Sequence, residues 1–476
     1  MIMRNAAHRK GFAIPQILVF AGIAVALVTA LAGFLGTVLR ATAAQTAREH
    51  ALQIAEAGTE YYRWHLAHDP DDFQDGTAAA GPYVHDFTDA AGRKIGEFAL
   101  EITPPPLGST VVVVKSVGTY LGTTTAERAV EVTMAIPSVA RYAVAADEEV
   151  RIGEGTITEG PVHGNSGVRF DGIARNVVSS ARDVYDDPDH TGGNEFGVHT
   201  HVSPADPLPP AAVPDRSDIF TVGREFPVPA IDFAGMITDL AAIKTKAQQA
   251  GHYYNASGKQ GYRVVLKAND TYDLYQVKTK NTPASQCKNV QNDSDWDLWT
   301  IKTQTLLGNY AFPGNGLIFF EDNVWVEGTV TTARLTIAAA RFPDAPGQRR
   351  DIIVNSDINY GAEDGSAVLG LIAQNSVNVG LSSDANLEID AAMVAQHGRV
   401  GRHYYSSSCG TGYSRSSIRT YGSIVSAERY GFAWTDGTGY QSRSIVYDPH
   451  LLYAPPPEFP LTTDEYEVVG WREVSP

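Results

Sequence analysis

The chain has 476 residues, a formal charge of −17 and only two cysteines. So acidic a surface repels nucleic-acid backbones and argues against a DNA-binding role. There is no G-x-S-x-G, Walker loop, H-E-x-x-H or catalytic cysteine signature, so the commonest enzyme motifs are absent from the sequence.

The first eleven residues, MIMRNAAHRKG, carry Arg4, His8, Arg9 and Lys10, and from Phe12 to Leu39 no charged residue occurs. That run exceeds the ~20 residues an α-helix needs to cross the hydrocarbon of a bilayer. The positive-inside bias places the N-terminus in the cytoplasm and everything after Arg40 on the exported side. A secretory signal has an apolar region of only about 7–15 residues followed by a small-residue cleavage site. Here the run is longer and no such site follows it, so the segment is expected to stay with the protein. From Arg40 to His68 the pattern turns amphipathic, with Ala44, Ala47, Ala51, Ile54, Ala55, Gly58, Tyr62 and Leu66 recurring at steps of three and four. One helix over 12–68 is predicted, with 12–39 in lipid and the remainder against a soluble domain. Asp69-Pro70 ends it, because the residue before a proline is pushed out of the α region.

A basic leader ending in Lys10-Gly11, followed at Phe12 by a long half-apolar helix, resembles the class III signal of type IV prepilins and pseudopilins. The stretch ALQIAEAGTE, Ala51 to Glu60, is similar to the end of the N-terminal helix in PilX-type minor pilins. The resemblance implies cleavage by a prepilin peptidase between Gly11 and Phe12 and methylation of the new N-terminus. It implies a protein anchored in the bacterial cytoplasmic membrane, partnered by other pilin-like subunits and the pilus assembly machinery, whose head becomes extracellular on assembly. One position departs from the pattern. Major pilins have a glutamate five residues into the mature chain, and Gln16 stands there, after Pro15. A neutral amide lacks the charge-assisted bond of a carboxylate to a neighbour's terminal ammonium, which favours a minor or tip subunit. An ordinary signal-anchor helix is the alternative.

The expected fold is α+β and mostly β. Residues 69–140 form a small pilin-like region in which EFALEITP, TVVVVKSVGTYL and AERAVEVTMAI alternate apolar and polar residues as three antiparallel strands. Residues 141–200 begin a head of short strands and Gly, Asn or Asp corners, which continues through 311–476 together with the C-terminal tail. Such a grammar predicts a parallel β-helix or small β-roll, with a β-sandwich as competitor. Between these blocks lie a proline-rich extended linker over 201–230 and an α+β insert over 231–310, expected to cap one end or flank. The insert opens with an amphipathic helix, Asp232 to Ala250, striped by Ile231, Met236, Ile237, Leu240 and Ile243. GPVHGN at Gly160–Asn165 and YDPHLLYAPPPEFP at Tyr447–Pro460 resemble parts of a domain found behind such helices in large pilin-like proteins of bacteria.

Cys287 and Cys409 both fall on the exported side, where an oxidising compartment favours a disulfide; two isolated half-buried thiols are the alternative. Oxygen ligands for Ca²⁺ are offered by Asp186, Asp187 and Asp189 near Asn194, and by Asp293, Asp295 and Asp297. Turn capping by these side chains is the competing role. His199 and His201 alternate on one strand and could hold a metal with His163 or His190, against the plainer reading of a solvated loop. Ser166 beside His163 makes a poor nucleophile and base. Tyr404, Tyr405, Trp434 and Tyr440 offer a sugar- or surface-binding patch, or corner packing. Two functions of different class emerge: a minor or tip pilin-like subunit for assembly or adhesion, needing no cofactor, and a membrane-anchored β-helix enzyme acting on polysaccharide. The second needs converging carboxylates, for which Glu327, Glu363, Asp364, Glu388 and Asp390 are the local candidates.

Overall fold

The computed structural model describes residues 13–233, 236–463 and 465–476, so Gly11 and Phe12 lie outside the described residues. The chain divides into two units, one of Met1–Pro104, Val112–Met134 and Glu465–Pro476, the other of Pro105–Val111 and Ala135–Asp464.

The first unit is a helix on a sheet. Helix α1, Ala13–His68, has 56 residues, about 84 Å at 1.5 Å per residue. Along its N-terminal half Ile17, Phe20, Leu27, Leu31 and Phe34 are all exposed. The helix is long and apolar enough there to cross a membrane. From Ala47 onward the predicted stripe is buried, including Ala51, Ile54, Ala55, Gly58, Tyr62 and Leu66. The helix stops before Asp69, whose amide still reaches the His65 carbonyl at 2.9 Å. The Tyr62 hydroxyl then fixes the exit by donating to the Asp72 carbonyl at 2.8 Å.

The stripe packs on β1 (Tyr83–Thr88), β2 (Lys94–Thr103), β3 (Val112–Leu121) and β4 (Thr125–Ala135). Ile54, Tyr62 and Leu66 join Phe98, Leu100, Val112, Val114, Val132 and Met134 in one core. Each large side chain buried in this way stabilises by about 1.5–3 kcal/mol. The sheet has five strands rather than the three expected, in the order β1-β2-β3-β4 and then the C-terminal strand Glu467–Val474. The tail is therefore not part of the head: residues 465–476 extend this sheet, with Arg472 paired to Glu131 at 2.5 Å and Arg128 to Glu473. Alternation alone could not show which sheet an edge strand joins.

The second unit is a parallel β-helix, which removes the β-sandwich alternative. Three ladders of parallel strands run along it. In the first, Ile318, Ile337, Leu371, Met393, Ile424, Val144, Val162 and Val178 stand in register, one per coil. All are buried in one continuous core. The second ladder stacks Val324, Ile352, Val377 and Val400. The third stacks Ile358, Ile389, Thr420, Ile445 and Thr158.

The outward side of the first ladder is apolar too. Phe319, Ala338, Ile372, Val394, Val425 and Ala145 are covered by Leu240, Ile243 and Ala247 of helix α2 (Met236–Ala250) and by Leu451 and Phe459. Strands buried on both faces read as continuous apolar runs, as LIFF and VLGLIA do here. The chain enters this stack in the middle. Val144–Ala146 lies between Ser414–Ser426 and Val162–Gly164. The coils then proceed to Arg224–Glu225, and the chain resumes at the opposite end with His252–Tyr254.

The insert supplies both the helix on that flank and the end coil of the stack. His252–Tyr254 pairs in parallel with Leu317–Phe320, and Gly261–Lys267 pairs in parallel with Val324–Val330, so both belong to the end coil. Thr271–Lys280 and Ile301–Ala311 leave the coil, as antiparallel additions to its edge. The proline-rich segment is packed rather than a free tether. Arg216 donates to the Val202 carbonyl at 3.2 Å, and Arg224 to the carbonyls of Val198 and Pro214 at 2.9 and 2.7 Å. Prolines bring carbonyl acceptors without an N–H to satisfy, and two buried guanidiniums supply the donors.

At Gly118 the strand comes against the backbone of α1: a Cβ there would fall on the Ala51 carbonyl oxygen and the Ala55 nitrogen. Both are backbone atoms and cannot swing aside. Gly118→Val should lower the stability of the first unit by at least about 1–3 kcal/mol, the usual cost of overpacking. Denaturation of the detergent-solubilised chain followed by circular dichroism measures it, with Gly470→Ala, where a Cβ meets Thr133 at ordinary contact distance, as the comparison.

Candidate functional site

The segment 183–206 at one end of the β-helix gathers titratable side chains that are far apart in sequence. Val184–Tyr185 pairs antiparallel with Glu195–Phe196, which sets Asp187 and Glu195 at the base of one acidic hairpin. Val198–His199 continues a ladder beside Val168–Phe170, with His199 opposite Arg169. The His201 amide is held by the Asp171 carboxylate at 2.8 Å. Asp187 Oδ1 accepts from the Asp189 amide at 2.9 Å, which leaves Oδ2 directed at the histidines.

His199 is fully buried and its Nε2 stands 3.5 Å from Asp187 Oδ2, too far and too poorly aligned for a hydrogen bond. His201 Nε2 lies 3.6 Å from Glu195 Oε1, and His190 Nδ1 lies 3.0 Å from the same oxygen. Ring centroids are 4.9 Å apart for His199 and His201 and 4.6 Å for His190 and His201. Arg169 Nη1 approaches Asp187 Oδ2 at 3.4 Å while its Nε donates to Asp171 at 2.8 Å. Burial pushes the Asp187 carboxyl up, but His199, the Asp189 amide and Arg169 together hold it well below the usual carboxylate range. Burial, with Arg169 and His199 nearby, pushes His201 down.

This differs from the oxygen site expected of Asp186, Asp187 and Asp189. Asp187 turns to the histidines, while Asp189 is shared by Arg151 at 2.5 Å and by Arg429. His163 is not part of the group. It is buried against Ser179 at 3.1 Å and Asn165 at 2.9 Å, and Ser166 donates instead to the Asp147 carbonyl at 2.9 Å. Asn165 in turn binds both the amide and the carbonyl of Ile231, so GPVHGN is a structural joint.

The other acidic triplet is also drawn apart. Asp293 meets Arg399 at 2.8 Å and His403 at 3.0 Å, and Asp297 meets Lys280 at 2.7 Å. Asp295 stands 3.5 Å from His403 Nε2. Beside it Asp351 is completely buried, which pushes its carboxyl up to about 7, with Asp295 adding to the effect and Asn375 and the Ser376 amide opposing it.

Cys287 and Cys409 are joined in a disulfide that ties the 281–300 loop to the 404–413 corner. Trp296 Nε1 donates to the Tyr404 carbonyl at 3.1 Å across the same junction, and the Tyr405 hydroxyl to the Asp297 carbonyl at 2.6 Å. Tyr405 and Tyr440 are buried, not exposed as a sugar patch requires. They sandwich the Arg402 guanidinium at 5.0 and 5.6 Å while it donates to the carbonyls of Gly380 and Gly412. Tyr404 and Trp434 remain partly exposed, in edge contact at 5.5 Å.

Three of the carboxylates considered for glycan chemistry are held by arginines. Glu327 pairs with Arg263, and Arg419 lies between Glu363 at 2.7 Å and Asp390 at 3.6 Å. Asp364 caps the Ser366 amide at 3.0 Å, and Glu388 is exposed. Gln16 lies on the exposed apolar half of α1.

Two outcomes follow from these junctions. The disulfide closes a loop with a sequence separation of 122, worth up to about 4–5 kcal/mol in the chain-entropy model. Cys409→Ser should therefore lower the unfolding midpoint, and alkylation without reductant should label neither cysteine of the native protein. The second concerns Asp351, whose folded-state pKa of about 7 lies above its ordinary 3.8. Between those values the folded chain holds a proton that the unfolded chain releases, so stability falls as pH rises through that window. Asp351→Asn should raise the melting temperature at pH 8 and change it little at pH 4; equal effects at both would contradict the assignment.

No protein-family model matches this chain, and no curated protein does. Among solved structures, the competence-associated pilin ComZ from Thermus thermophilus aligns over 90% of this chain and 98% of its own, at 11% identity and a TM-score of 0.29. That similarity is too slight to carry an argument.

Proposed function

We propose that the chain is a minor or tip type IV pilin-like subunit, held in the membrane by α1 before assembly and packed by the same helix into a filament core afterwards. The observation that carries the reading is the division of α1. Its N-terminal half exposes an uncharged apolar surface all round, and its C-terminal half is buried on an antiparallel sheet. A helix apolar on every side needs lipid or other helices around it. The basic leader and Gly11-Phe12 junction support processing and insertion with the N-terminus in the cytoplasm. In this reading the β-helix is an exported head for adhesion or assembly, and its partners are other pilin-like subunits. The engagement of Glu327, Glu363 and Asp390 by arginines favours a structural role over polysaccharide cleavage.

Wild type, Gly11→Ala and Gln16→Glu are compared for N-terminal sequence and for recovery in sheared surface filaments. The reading expects cleavage after Gly11, loss of both cleavage and incorporation in Gly11→Ala, and retained or increased incorporation in Gln16→Glu. If the head stays cell-bound in all three and the wild-type chain keeps its leader, the protein is a solitary anchored surface protein.

A further inference from the structure

We propose that Asp187, His199 and His201 form a three-residue binding site for a divalent first-row transition metal, zinc above all, with water completing the coordination. The donor atoms of Asp187, His199 and His201 all lie within 4.8 Å of one another. With zinc–ligand bonds of about 2.0–2.2 Å, neighbouring donors of a tetrahedral site stand roughly 3.4 Å apart. The spacing here is 3.5 Å from His199 Nε2 to Asp187 Oδ2. That is long for a hydrogen bond and right for two ligands of one ion.

The tautomer of His199 is the second observation. Its Nδ1 lies 3.3 Å from the Phe196 carbonyl, which can only accept, so Nδ1 carries the hydrogen. That leaves Nε2 as the ring nitrogen open to a ligand, and this atom is fully buried without a hydrogen-bond partner, facing a carboxylate oxygen. Two acceptors do not face each other inside a protein unless a proton or a cation stands between them. A ligating histidine that donates its other ring N–H to a backbone carbonyl is the usual outer-shell arrangement of metal sites. The His201 amide on Asp171 and the Asp189 amide on Asp187 Oδ1 hold two further ligands by backbone contacts. Arg169 reaches Asp187 Oδ2 as well, so the carboxylate has one cationic neighbour already and the ion shares it. Imidazole nitrogens favour zinc, nickel or copper over calcium, which takes oxygen.

The site's place in the fold suggests its use. Val198–His199 is the last strand of its ladder, so an ion there pins the acidic 186–195 hairpin onto the terminal coil. Solenoid ends need such covers. The role is structural and independent of the proposed filament function.

The full chain in detergent is stripped with chelator and titrated with Zn²⁺ and with Co²⁺. The expected result is one equivalent per chain and a visible Co²⁺ absorption band of tetrahedral intensity, abolished by Zn²⁺ and not by a hundredfold excess of Ca²⁺. His201→Gln, the more exposed ligand, and Asp187→Asn should each weaken binding at least tenfold with an unchanged far-UV spectrum, whereas His68→Gln on α1 should not. Absence of stoichiometric binding by the wild type would show that a proton on His199 fills the gap and would overturn the proposal. So would displacement by Ca²⁺, or binding indifferent to both ligand substitutions.

Discussion

The head depends on one constraint: every coil must present an apolar side chain at the same height as the coil before it. Val144, Val162 and Val178 meet Ile424, Met393 and Leu371 in a single column because the parallel register is kept without a slip across the join between Ile424 and Val144. A one-residue shift at any rung would send these residues outward and turn inward the residues that α2 and the 449–460 stretch cover. Here the outward side of the first ladder is also apolar, so α2 and the 449–460 stretch must lie over it. Corners, by contrast, are free to vary in length and composition. The chain uses that freedom for the Arg402 corner, the disulfide and the histidine hairpin.

The first unit follows the opposite logic. Its sheet alternates buried and exposed residues, with one face on α1, and its close approach rests on small residues. Gly118 in β3 meets the backbone of Ala51 and Ala55, and Gly58 on the helix faces Phe98 and Ser116. Alanine and glycine on the α1 stripe thus set how near the helix axis comes to the strands. The longer side chains, Ile54, Tyr62 and Leu66, then fill the space to either side. One helix therefore carries two surfaces with different requirements, and the change between them falls near Ala47.

Much of this was legible in residue order because it is local. The stripe from Ala47 to Leu66, the end of α1 at Asp69, three of the sheet strands and the corner grammar of the head all come from spacings of two, three or four residues. What stayed hidden is pairing at long range. The strand Glu467–Val474 shows no regular alternation, and nothing in it says that β4 is its neighbour. His199 and His201 stand out as a pair, but Asp187 and Glu195 reach them only because a hairpin folds 184–185 onto 195–196. The prolines of 201–230 suggested an extended tether, and only the placement of Arg216 and Arg224 shows that their carbonyls are used. Tyr405 and Tyr440 sit among serines and glycines, which hides that an arginine draws both inward.

Entry of the chain at the middle of the β-helix has a consequence for the order in which it can fold. A ribosome delivers Val144–Ala146 some 280 residues before the Ile424–Ser426 strand that closes on it. The coils of residues 144–225 can stack on one another early, but the edge at Val144 stays open until nearly the whole head has been made. Closing a loop of that span comes late and slowly in folding. An unpaired parallel edge is also a template for a second chain, so two nascent copies can exchange halves across this seam. The finished solenoid hides the hazard completely, because its first strand becomes an interior one.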